Sequence, residues 1–518
     1  MKFYFSLVCV LLGFLFPALG YSAGFANFYG GPSRDKPGAR AGNPMCKTSD
    51  GGYILIGTTG SFGGEVGTDI WVVKLLSSGE IEWQKSYDGE SSFDPCTSCE
   101  GGTSIQETSD GGYLATGIRG YSRIWILKLD SSGEIQWQKD YDRASGAGTY
   151  VGQPFSFQQT EDGGYIVLGM SDQYGVNDFT VLRLNGTGEI SWAKSYSGED
   201  GGAEARSIQQ TQDGGFIITG ATSEFVMKES EKECAHSYGN AWILKITSTG
   251  VIEWEKAYGG TGCDIANTIR QTSDGGYIVA GSTDFGGATD DEIAWVFKLT
   301  SSGVVEWSKT YGDLSLPPFS IEETSDGGYI VGGPLLIKLD SVGGLEWQKL
   351  YGGNSQNYTI AAKIIESGYV ILGYTELFGA GNGDFWLFEV DANGNKPCCN
   401  LACSAKNMAV KSGPVSFINS TATINDPEFI IRNTTANPKV TSAEINTQCP
   451  NSMVEDVVIQ NTAVSSNAIC ECSDNSSITT GKALTIEDGA HFTFKAPSVK
   501  IQSGFQAENG SVINMKQE

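Results

Sequence analysis

Apolar and polar residues alternate over short stretches along most of the chain, and glycine pairs separate these stretches. One block, T-x-D-G-G-(Y/F)-x-x-x-G, occurs six times, and a degraded seventh copy starts at Ile364. The copies lie about 40 to 60 residues apart, a period typical of propellers and other repeat arrays. The six complete copies start at Thr48, Thr108, Thr160, Thr211, Thr272 and Thr324.

Each unit divides into four strand-like pieces. In the fifth unit these are residues 266–272, 277–281, 294–299 and 304–311, which are rich in β-branched and aromatic side chains. Turns with Asp and Gly separate the pieces, because an Asp side chain caps its own backbone and Gly accepts a positive φ. Four strands form one propeller blade, so the pattern predicts an all-β protein with a seven-bladed β-propeller.

The fourth strand of each unit carries the pattern W-x-K-x-Y. Six units have it, but the seventh has no such strand after Asp391. The missing copy lies near the N-terminus, where Phe25 replaces the tryptophan, Asn27 replaces the lysine and Tyr29 is kept. We therefore predict that an N-terminal strand closes the last blade, which removes the open sheet edges of the ring.

The repeats resemble those of a known family. Their consensus is Q-T-S-D-G-G-Y-I-V-A-G-S-T, then F-G-G, then W-V-L-K-L-D-S-S-G-x-I-E-W-x-K-T-Y-G-G. Over about residues 25–395 it is similar to the propeller repeat of secreted and surface proteins of bacteria and archaea. The resemblance implies the fold and says almost nothing about function.

The C-terminal part differs in composition from the repeats. Residues 478–515 resemble the three-coathanger stack, a small C-terminal module of stacked β-arches, most clearly in A-P-S-V-K-I-Q-S-G-F-Q-A-E-N-G-S-V-I. Alternating apolar residues and glycines independently suit short stacked strands. Residues 396–475 are rich in Asn, Thr, Ser and Val, which suits a stalk, a linker or an irregular β module, with disorder as the alternative.

The first 23 residues have the features of a secretory signal peptide. Lys2 precedes an apolar run that ends at Phe16, and small residues follow. The run is shorter than the roughly 20 residues of a membrane-spanning helix. We predict a secreted or cell-surface protein with no transmembrane segment in the mature chain. The predicted domains are 1–23 (signal peptide), 24–395 (propeller), 396–475 (Cys-containing stalk or linker) and 476–518 (stacked β-arch module).

Charge and histidine content narrow the function. A formal charge of −26 opposes binding to nucleic acid, which we exclude as a partner. The two histidines, His236 and His491, are too few for a His-based triad or a multi-histidine metal site. Asp290 and Asp291 suit a solvated loop better than a glycosidase pair, whose separation the sequence does not show. The sequence thus yields no catalytic residue, and an enzyme is the less favoured interpretation.

The D-G-G aspartates are another set of acidic residues at equivalent places. Two glycines and a strand follow each of them, so capping of the turn explains all six together. Residues 284–291 and 379–384 concentrate oxygen ligands among glycines, as calcium loops do. Neither has a full calcium-loop spacing, so we predict no cofactor and leave calcium open.

Eleven cysteines remain once Cys9 is removed with the signal peptide, so at least one is free or pairs between chains. We predict a disulfide between Cys234 and Cys263, because the loop after the second strand of blade 4 and the loop entering blade 5 open on the same face. Outside the cytoplasm, Cys96 and Cys99 favour a local disulfide over a redox or zinc pair. The pairing of the six cysteines in residues 396–475 stays open.

Two functions remain. The first is a secreted or cell-surface binding or adhesion protein with an unknown surface glycan or protein ligand. The alternative is a secreted carbohydrate hydrolase or lyase, which rests on fold analogy alone. One face of the ring carries the uniform D-G-G and S-S-G turns, and the other carries loops of variable length, where we place ligand binding. Free drift in loop length is the competing explanation. The predicted ligand-binding residues are Phe62, Tyr174, Phe285 and Phe378.

Overall fold

The structure is a computed structural model, and all its described elements are strands. No helix capable of crossing a membrane occurs among the described residues. These residues are 25–38, 42–62, 68–88, 101–119, 123–143, 149–173, 176–197, 202–222, 239–259, 263–283, 293–311, 317–351, 357–376 and 383–395, with further short strands between 410 and 516.

Seven antiparallel sheets form the blades of a β-propeller. The N-terminal strand is β1 (Ala26–Gly30). Blade 1 contains β2 (Asp35–Pro37), β3 (Met45–Lys47), β4 (Tyr53–Thr59), β5 (Asp69–Leu75) and β6 (Ile81–Asp88), and blade 2 contains β7 (Gly101–Glu107), β8 (Tyr113–Arg119), β9 (Arg123–Leu129) and β10 (Ile135–Arg143). Blade 3 contains β11 (Thr149–Gln159), β12 (Tyr165–Gln173), β13 (Val176–Leu184) and β14 (Ile190–Ser197), and blade 4 contains β15 (Ala203–Gln210), β16 (Phe216–Thr222), β17 (Asn240–Ile246) and β18 (Ile252–Gly259).

Blades 5 to 7 continue the same order. Blade 5 contains β19 (Asp264–Gln271), β20 (Tyr277–Thr283), β21 (Ile293–Leu299) and β22 (Val305–Tyr311). Blade 6 contains β23 (Ser320–Glu323), β24 (Tyr329–Gly332), β25 (Leu335–Leu339) and β26 (Leu345–Leu350), and blade 7 contains β27 (Asn357–Ile365), β28 (Gly368–Thr375) and β29 (Asp384–Asp391). The four strands of blade 5 agree with the sequence prediction to within two residues at each end.

The N-terminal strand closes the ring as predicted. β1 pairs antiparallel with β29, so that Phe28 lies opposite Trp386 and Tyr29 opposite Phe385. Blade 7 therefore has the order β27-β28-β29-β1, with three strands from the end of the repeat region and one from its start.

The core lies between the blades. Each of seven apolar clusters combines side chains from two neighbouring blades. Because side chains alternate along a strand, one strand serves two clusters. In β1, Phe28 packs with residues of blade 6 and Tyr29 with residues of blade 1. Burial on both faces of every blade thus joins the seven sheets into one body.

The tyrosines of the fourth strands bind the next blade. Each donates its hydroxyl to the carbonyl of a glycine in the neighbouring S-S-G-type turn, at 2.6–2.8 Å. The glycine is needed there: Gly303 has a φ of +73°, and a Cβ would lie 2.9 Å from the Trp254 ring. The seven pairs are Tyr29–Gly79, Tyr87–Gly133, Tyr141–Gly188, Tyr196–Gly250, Tyr258–Gly303, Tyr311–Gly343 and Tyr351–Gly394.

The D-G-G aspartates cap their turns, and they also hold a buried cation. Asp274 Oδ1 accepts hydrogen bonds from Thr272 Oγ1 at 2.5 Å and from Gly276 N at 2.9 Å. Its Oδ2 lies 2.8 Å from Nζ of Lys298, whose side chain is only 4% exposed. The other five aspartates hold Lys74, Lys128, Arg183, Lys245 and Lys338 in the same way.

The chain after the propeller runs around the outside of the ring. Six short strands each pair antiparallel with the outermost strand of one blade, in the order blade 5, 4, 3, 2, 1 and 7. They begin six to eight residues apart, about 20–26 Å of extended chain at roughly 3.3 Å per residue. We call this segment the belt; its strands are β30 (Val410–Lys411), β31 (Ser416–Asn419), β32 (Thr423–Asn425), β33 (Phe429–Asn433), β34 (Asn437–Val440) and β35 (Glu444–Asn446).

The last nine strands form three parallel sheets of three strands each. Strands in one sheet start 21 to 22 residues apart, so three successive coils stack on one another. The first coil starts at Val457, ahead of residue 476. The predicted domain boundaries and the likeness to the three-coathanger stack stay predictions. The strands are β36 (Val457–Ile459), β37 (Ala463–Val464), β38 (Ile469–Ser473), β39 (Ile478–Thr480), β40 (Thr485–Ile486), β41 (His491–Lys495), β42 (Val499–Ile501), β43 (Gln506–Ala507) and β44 (Val512–Lys516).

Candidate binding site at the channel mouth

The first strand of each blade contacts the first strands of its neighbours and surrounds the axis of the ring. In each of these strands, two residues directly precede the T-x-D-G-G block or its equivalent in blade 7. We call the residue directly before the block the rim position and the residue before that the inner position. In blade 7 the rim position is Ile364, because it pairs with Tyr369 as the rim residues of other blades pair with the equivalent aromatic residue. The inner positions of blades 1 to 7 hold Cys46, Gln106, Gln158, Gln209, Arg270, Glu322 and Lys363. The rim positions hold Lys47, Glu107, Gln159, Gln210, Gln271, Glu323 and Ile364.

Glutamines at the inner positions bond forward to the next blade. Gln158 Oε1 accepts the backbone N–H of Gln210 at 2.7 Å. Gln209 does the same for Gln271 at 2.7 Å, and Gln106 for Gln159 at 3.1 Å. Each of these three glutamines therefore joins two innermost strands.

Glutamines at the rim positions bond back to the previous blade. Gln159 Oε1 accepts a hydrogen bond from the backbone N–H of Ser109 at 2.8 Å. Gln210 Oε1 accepts one from the backbone N–H of Glu161 at 3.1 Å, and Gln271 Oε1 accepts one from the backbone N–H of Gln212 at 2.9 Å. Because a backbone N–H only donates, these bonds fix which end of each carboxamide is the oxygen. All six amide oxygens thus accept an inter-blade hydrogen bond.

The NH2 groups are largely unused within the protein. Gln271 Nε2 donates to the Gly275 carbonyl at 3.4 Å. For the other five glutamines, no acceptor among the described residues lies within hydrogen-bonding distance of Nε2. These side chains are partly exposed, so the site is a set of fixed hydrogen-bond donors open to solvent.

A cavity of about 430 Å³ lies over these donors at the tight-turn face of blades 2 to 5. Its walls come from the ends of innermost strands and from D-G-G turns, which the inter-blade bonds hold in place. The lining residues are the six glutamines together with Ser109, Thr160, Glu161, Gly163, Thr211 and Gln212.

The inner positions of blades 5 to 7 are charged. Lys363 Nζ lies 2.7 Å from Glu322 Oε1, so these two form an ion pair. Arg270 donates from Nη1 to the Ile269 carbonyl at 2.8 Å, and no described carboxylate lies within ion-pair distance of it. Burial lowers the pKa of Arg270, and the charge of Glu322 acts in the opposite direction. Burial also raises the pKa of the free Cys46 thiol in blade 1.

Of the four residues predicted for ligand binding, Phe62 alone lies within the described part of the chain. Phe62 follows β4 and packs on Trp71, with ring centroids 5.2 Å apart. It is partly buried against the cluster between blades 7 and 1. Tyr174, Phe285 and Phe378 lie outside the described residues. Binding by these four residues stays a prediction.

Several other predicted residues are also outside the described part of the chain. They include Cys96, Cys99, Cys234, Asp290, Asp291 and His236, whereas Cys263 directly precedes β19 and His491 opens β41. The predicted disulfides are therefore untested. The described residues contain no group of His, Cys, Asp or Glu that would hold a metal ion. Most of the two loops considered for calcium lies outside them, so calcium stays open.

Sequence reasoning missed the glutamines and the buried lysines. The glutamine signal is that the two residues before the T-x-D-G-G block change from unit to unit while the block does not. The sequence sign that each buried lysine pairs with a D-G-G aspartate is in the seventh unit, which lacks both the aspartate and the third-strand lysine. Glu389 stands at the lysine position and accepts a hydrogen bond from Tyr53 Oη at 2.8 Å.

No family model matches the chain, and no curated protein matches it. Among solved structures, one described as a candidate gluconolactonase has 12% identity and a TM-score of 0.31, with 55% of this chain and 87% of that one covered. A candidate exo-β-1,3-galactanase from Bifidobacterium bifidum s17 has 12% identity and a TM-score of 0.31, covering 56% and 99%. The extracellular domain of a candidate hybrid two-component system from B. thetaiotaomicron has 10% identity and a TM-score of 0.23, covering 71% and 59%. At these values the likenesses carry no functional argument.

Proposed function

We propose that the protein is a secreted or cell-surface binding protein whose propeller is a rigid scaffold, and that ligand binds in the cavity at the tight-turn mouth of the channel. The observation that carries this proposal is the set of six glutamine side chains around the cavity. Their amide oxygens accept inter-blade hydrogen bonds, which leaves the NH2 groups to donate to a ligand. Secretion rests on the signal-like residues 1–23.

Fixed donors suit a ligand rich in hydrogen-bond acceptors. A side chain that is already held by its other end loses little rotamer entropy when ligand arrives, so more of the interaction energy appears as affinity. Hydroxyl, ring and carboxyl oxygens of a glycan accept such bonds. The cavity volume falls in the ordinary range for small-molecule sites, about 300–1,000 Å³.

Binding is favoured over hydrolysis because the described lining of the cavity holds one acidic residue, Glu161, rather than a carboxylate pair. A glycosidase needs two carboxyl groups on either side of the scissile bond, one of them protonated. At the mouth, Glu322 is paired with Lys363. Glu107 and Glu323 each accept two hydrogen bonds from a serine of the preceding blade. These carboxylates are therefore held as structural acceptors.

The test is a glycan-array screen of the purified full chain, followed by calorimetry with the best glycan. The variant is Gln158→Met with Gln209→Met, which removes two donors and keeps the side-chain length. We expect binding to fall by at least about tenfold, since two hydrogen bonds contribute about 1 kcal/mol each.

The matched control is Phe62→Leu on the opposite face, which we expect to leave affinity unchanged. A loss of binding in Phe62→Leu together with wild-type binding in the glutamine variant would place the site on the variable-loop face instead. Release of shorter sugars from the bound glycan would favour the hydrolase.

A further inference from the structure

The inner ring changes character between blade 4 and blade 5. Gln209 is the last glutamine of the series, and Arg270 takes the equivalent place in the next blade. Gln271, the residue beside Arg270 in β19, lines the cavity. Arg270 is not itself a lining residue, but it directly precedes one of them in β19.

Arg270 interrupts the relay of inter-blade bonds. A glutamine at this position accepts the backbone N–H of the next rim residue, as Gln158 does for Gln210. A guanidinium has no acceptor, so Arg270 gives up that bond. It has five N–H donors, and the described structure shows one acceptor for them, the Ile269 carbonyl.

The nearby charges do not compensate this cation directly. Glu322 forms its ion pair with Lys363 of blade 7 rather than with Arg270. The three charged inner residues are two cations and one anion, whereas the rim positions hold one lysine and two glutamates and Glu161 lines the cavity. A partly buried cation without an ion-pair partner is costly unless something binds it.

We propose that the ligand of the channel-mouth site is an acidic saccharide, whose single anionic group pairs with Arg270 while its hydroxyl and ring oxygens accept hydrogen bonds from the glutamine amides. This inference rests on the proposed function and names its ligand class. Guanidinium binds carboxylate, sulfate and phosphate in bidentate geometry, so the shared chemistry is one oxyanion on a polyhydroxylated ring.

The overall charge selects against highly charged ligands. The field of a chain with a formal charge of −26 repels a polyanion over a long range at low salt. A single anionic group that reaches Arg270 forms a short-range, partly desolvated ion pair. Salt screens such an ion pair less than it screens the long-range repulsion. The site therefore suits a saccharide end with one acidic residue better than a heavily sulfated polymer or a nucleic acid.

The test compares trigalacturonate bearing one free carboxylate with its fully methyl-esterified form, by calorimetry on the full chain. We expect the esterified form to bind at least about tenfold more weakly to the wild type. Galactose 6-sulfate and galactose 6-phosphate, against galactose, distinguish the source of the anion.

The decisive variant is Arg270→Gln, which installs the residue that blades 2 to 4 carry at this place. We expect it to keep or raise the melting temperature, because it removes a partly buried charge and supplies the missing acceptor. It should abolish the preference for the acid over the ester, and Arg270→Lys should restore part of it.

The outcomes separate the two proposals. Equal binding of acid and ester by the wild type, or an undiminished preference in Arg270→Gln, overturns the acidic ligand. If neutral sugars still bind in that case and the Gln158/Gln209 variant loses them, the binding function stands. If the wild type binds none of these saccharides, the acidic ligand is wrong, and the glycan array decides the binding function separately.

Discussion

The contacts between blades and the residues around the channel mouth follow opposite patterns. Seven tyrosine hydroxyls donate to seven glycine carbonyls with a spread of only 0.2 Å. The inner positions of the same seven blades hold one cysteine, three glutamines, one arginine, one glutamate and one lysine. Repetition therefore marks the residues that close the ring, and departure from it marks the residues that give this ring its own chemistry.

Blade 7 shows two partners of a repeated contact changing together. It lacks the D-G-G aspartate and the third-strand lysine together, and Glu389 takes the lysine position. Burial raises the pKa of Glu389, while the hydrogen bond from Tyr53 lowers it. One carboxylate with a neutral donor thus replaces an ion pair.

The largest expected effect is on ring closure. Deleting residues 24–31 removes β1, with the buried Phe28 and Tyr29, and exposes the edge of β29. Loss of two buried aromatic side chains alone costs about 6 kcal/mol or more. We expect aggregation or a melting temperature lower by many degrees, measured by calorimetry.

Deletion of residues 499–518 is the control for that experiment. Its strands pair with other C-terminal strands in the described structure, so the propeller should melt as in the full chain. An unchanged propeller transition after loss of residues 24–31 would contradict closure by β1.

The next effect separates two lysines of one blade. Lys298 is 4% exposed and its Nζ contacts Asp274 and Glu306 at 2.8 and 3.1 Å. Lys309 is partly exposed, donates to the Val342 carbonyl at 2.9 Å and lies 5.9 Å from the Trp307 ring. We expect Lys298→Ala to cost about 2–3 kcal/mol and Lys309→Ala about 0.5–1 kcal/mol in denaturant unfolding. Equal costs would mean that the buried ion pairs do not stabilise the blade.

The repeats made the fold predictable from one sequence. Six copies of the block and the single displaced W-x-K-x-Y match gave the blade number and the role of Phe25 to Tyr29. Pairings between distant segments could not be predicted in this way. The belt strands are two to five residues long, too short for an alternation pattern, and their partners lie up to about 400 residues away.

The candidate site was hidden for a related reason. A glutamine before a turn is an ordinary strand residue, and nothing in the sequence shows that Gln158 and Gln210 are joined across two blades. Only the closed ring reveals that their oxygens are occupied and their NH2 groups are not. The predicted variable-loop site was inferred from loop length, which the described residues leave untested.

Acid should weaken the repeated contacts together. Burial raises the pKa of Asp274, but hydrogen bonds from Lys298, Thr272 and Gly276 outweigh it and leave that pKa at about 2, against an ordinary value of 3.8. A depressed pKa means stability that is present above about pH 4 and is lost as the pH falls towards 2. Asp50, Asp110, Asp162 and Asp213 have pKa values of about 2 as well.

We expect the melting temperature to fall by a few degrees between pH 4 and pH 2 from this source, since the carboxylates are half-exposed and partly screened. Asp274→Asn should lower stability at pH 6 and reduce the fall between pH 4 and pH 2. The same fall in Asp274→Asn as in the wild type would assign the acid sensitivity to other groups.

The smallest effects compare one residue from each class directly. Tyr258→Phe removes a hydroxyl that donates to the buried Gly303 carbonyl at 2.8 Å, which should cost about 1 kcal/mol in denaturant unfolding and leave ligand affinity unchanged. Gln158→Met removes the acceptor of the Gln210 N–H, and we expect water to take its place because both residues are partly exposed. That variant should cost about 0.5 kcal/mol or less and weaken glycan binding severalfold. If Gln158→Met is the more destabilising of the two variants and leaves binding intact, the inner glutamines have the same structural role as the contacts between blades. The distinction between repeated and variable positions would then fail at the proposed binding site.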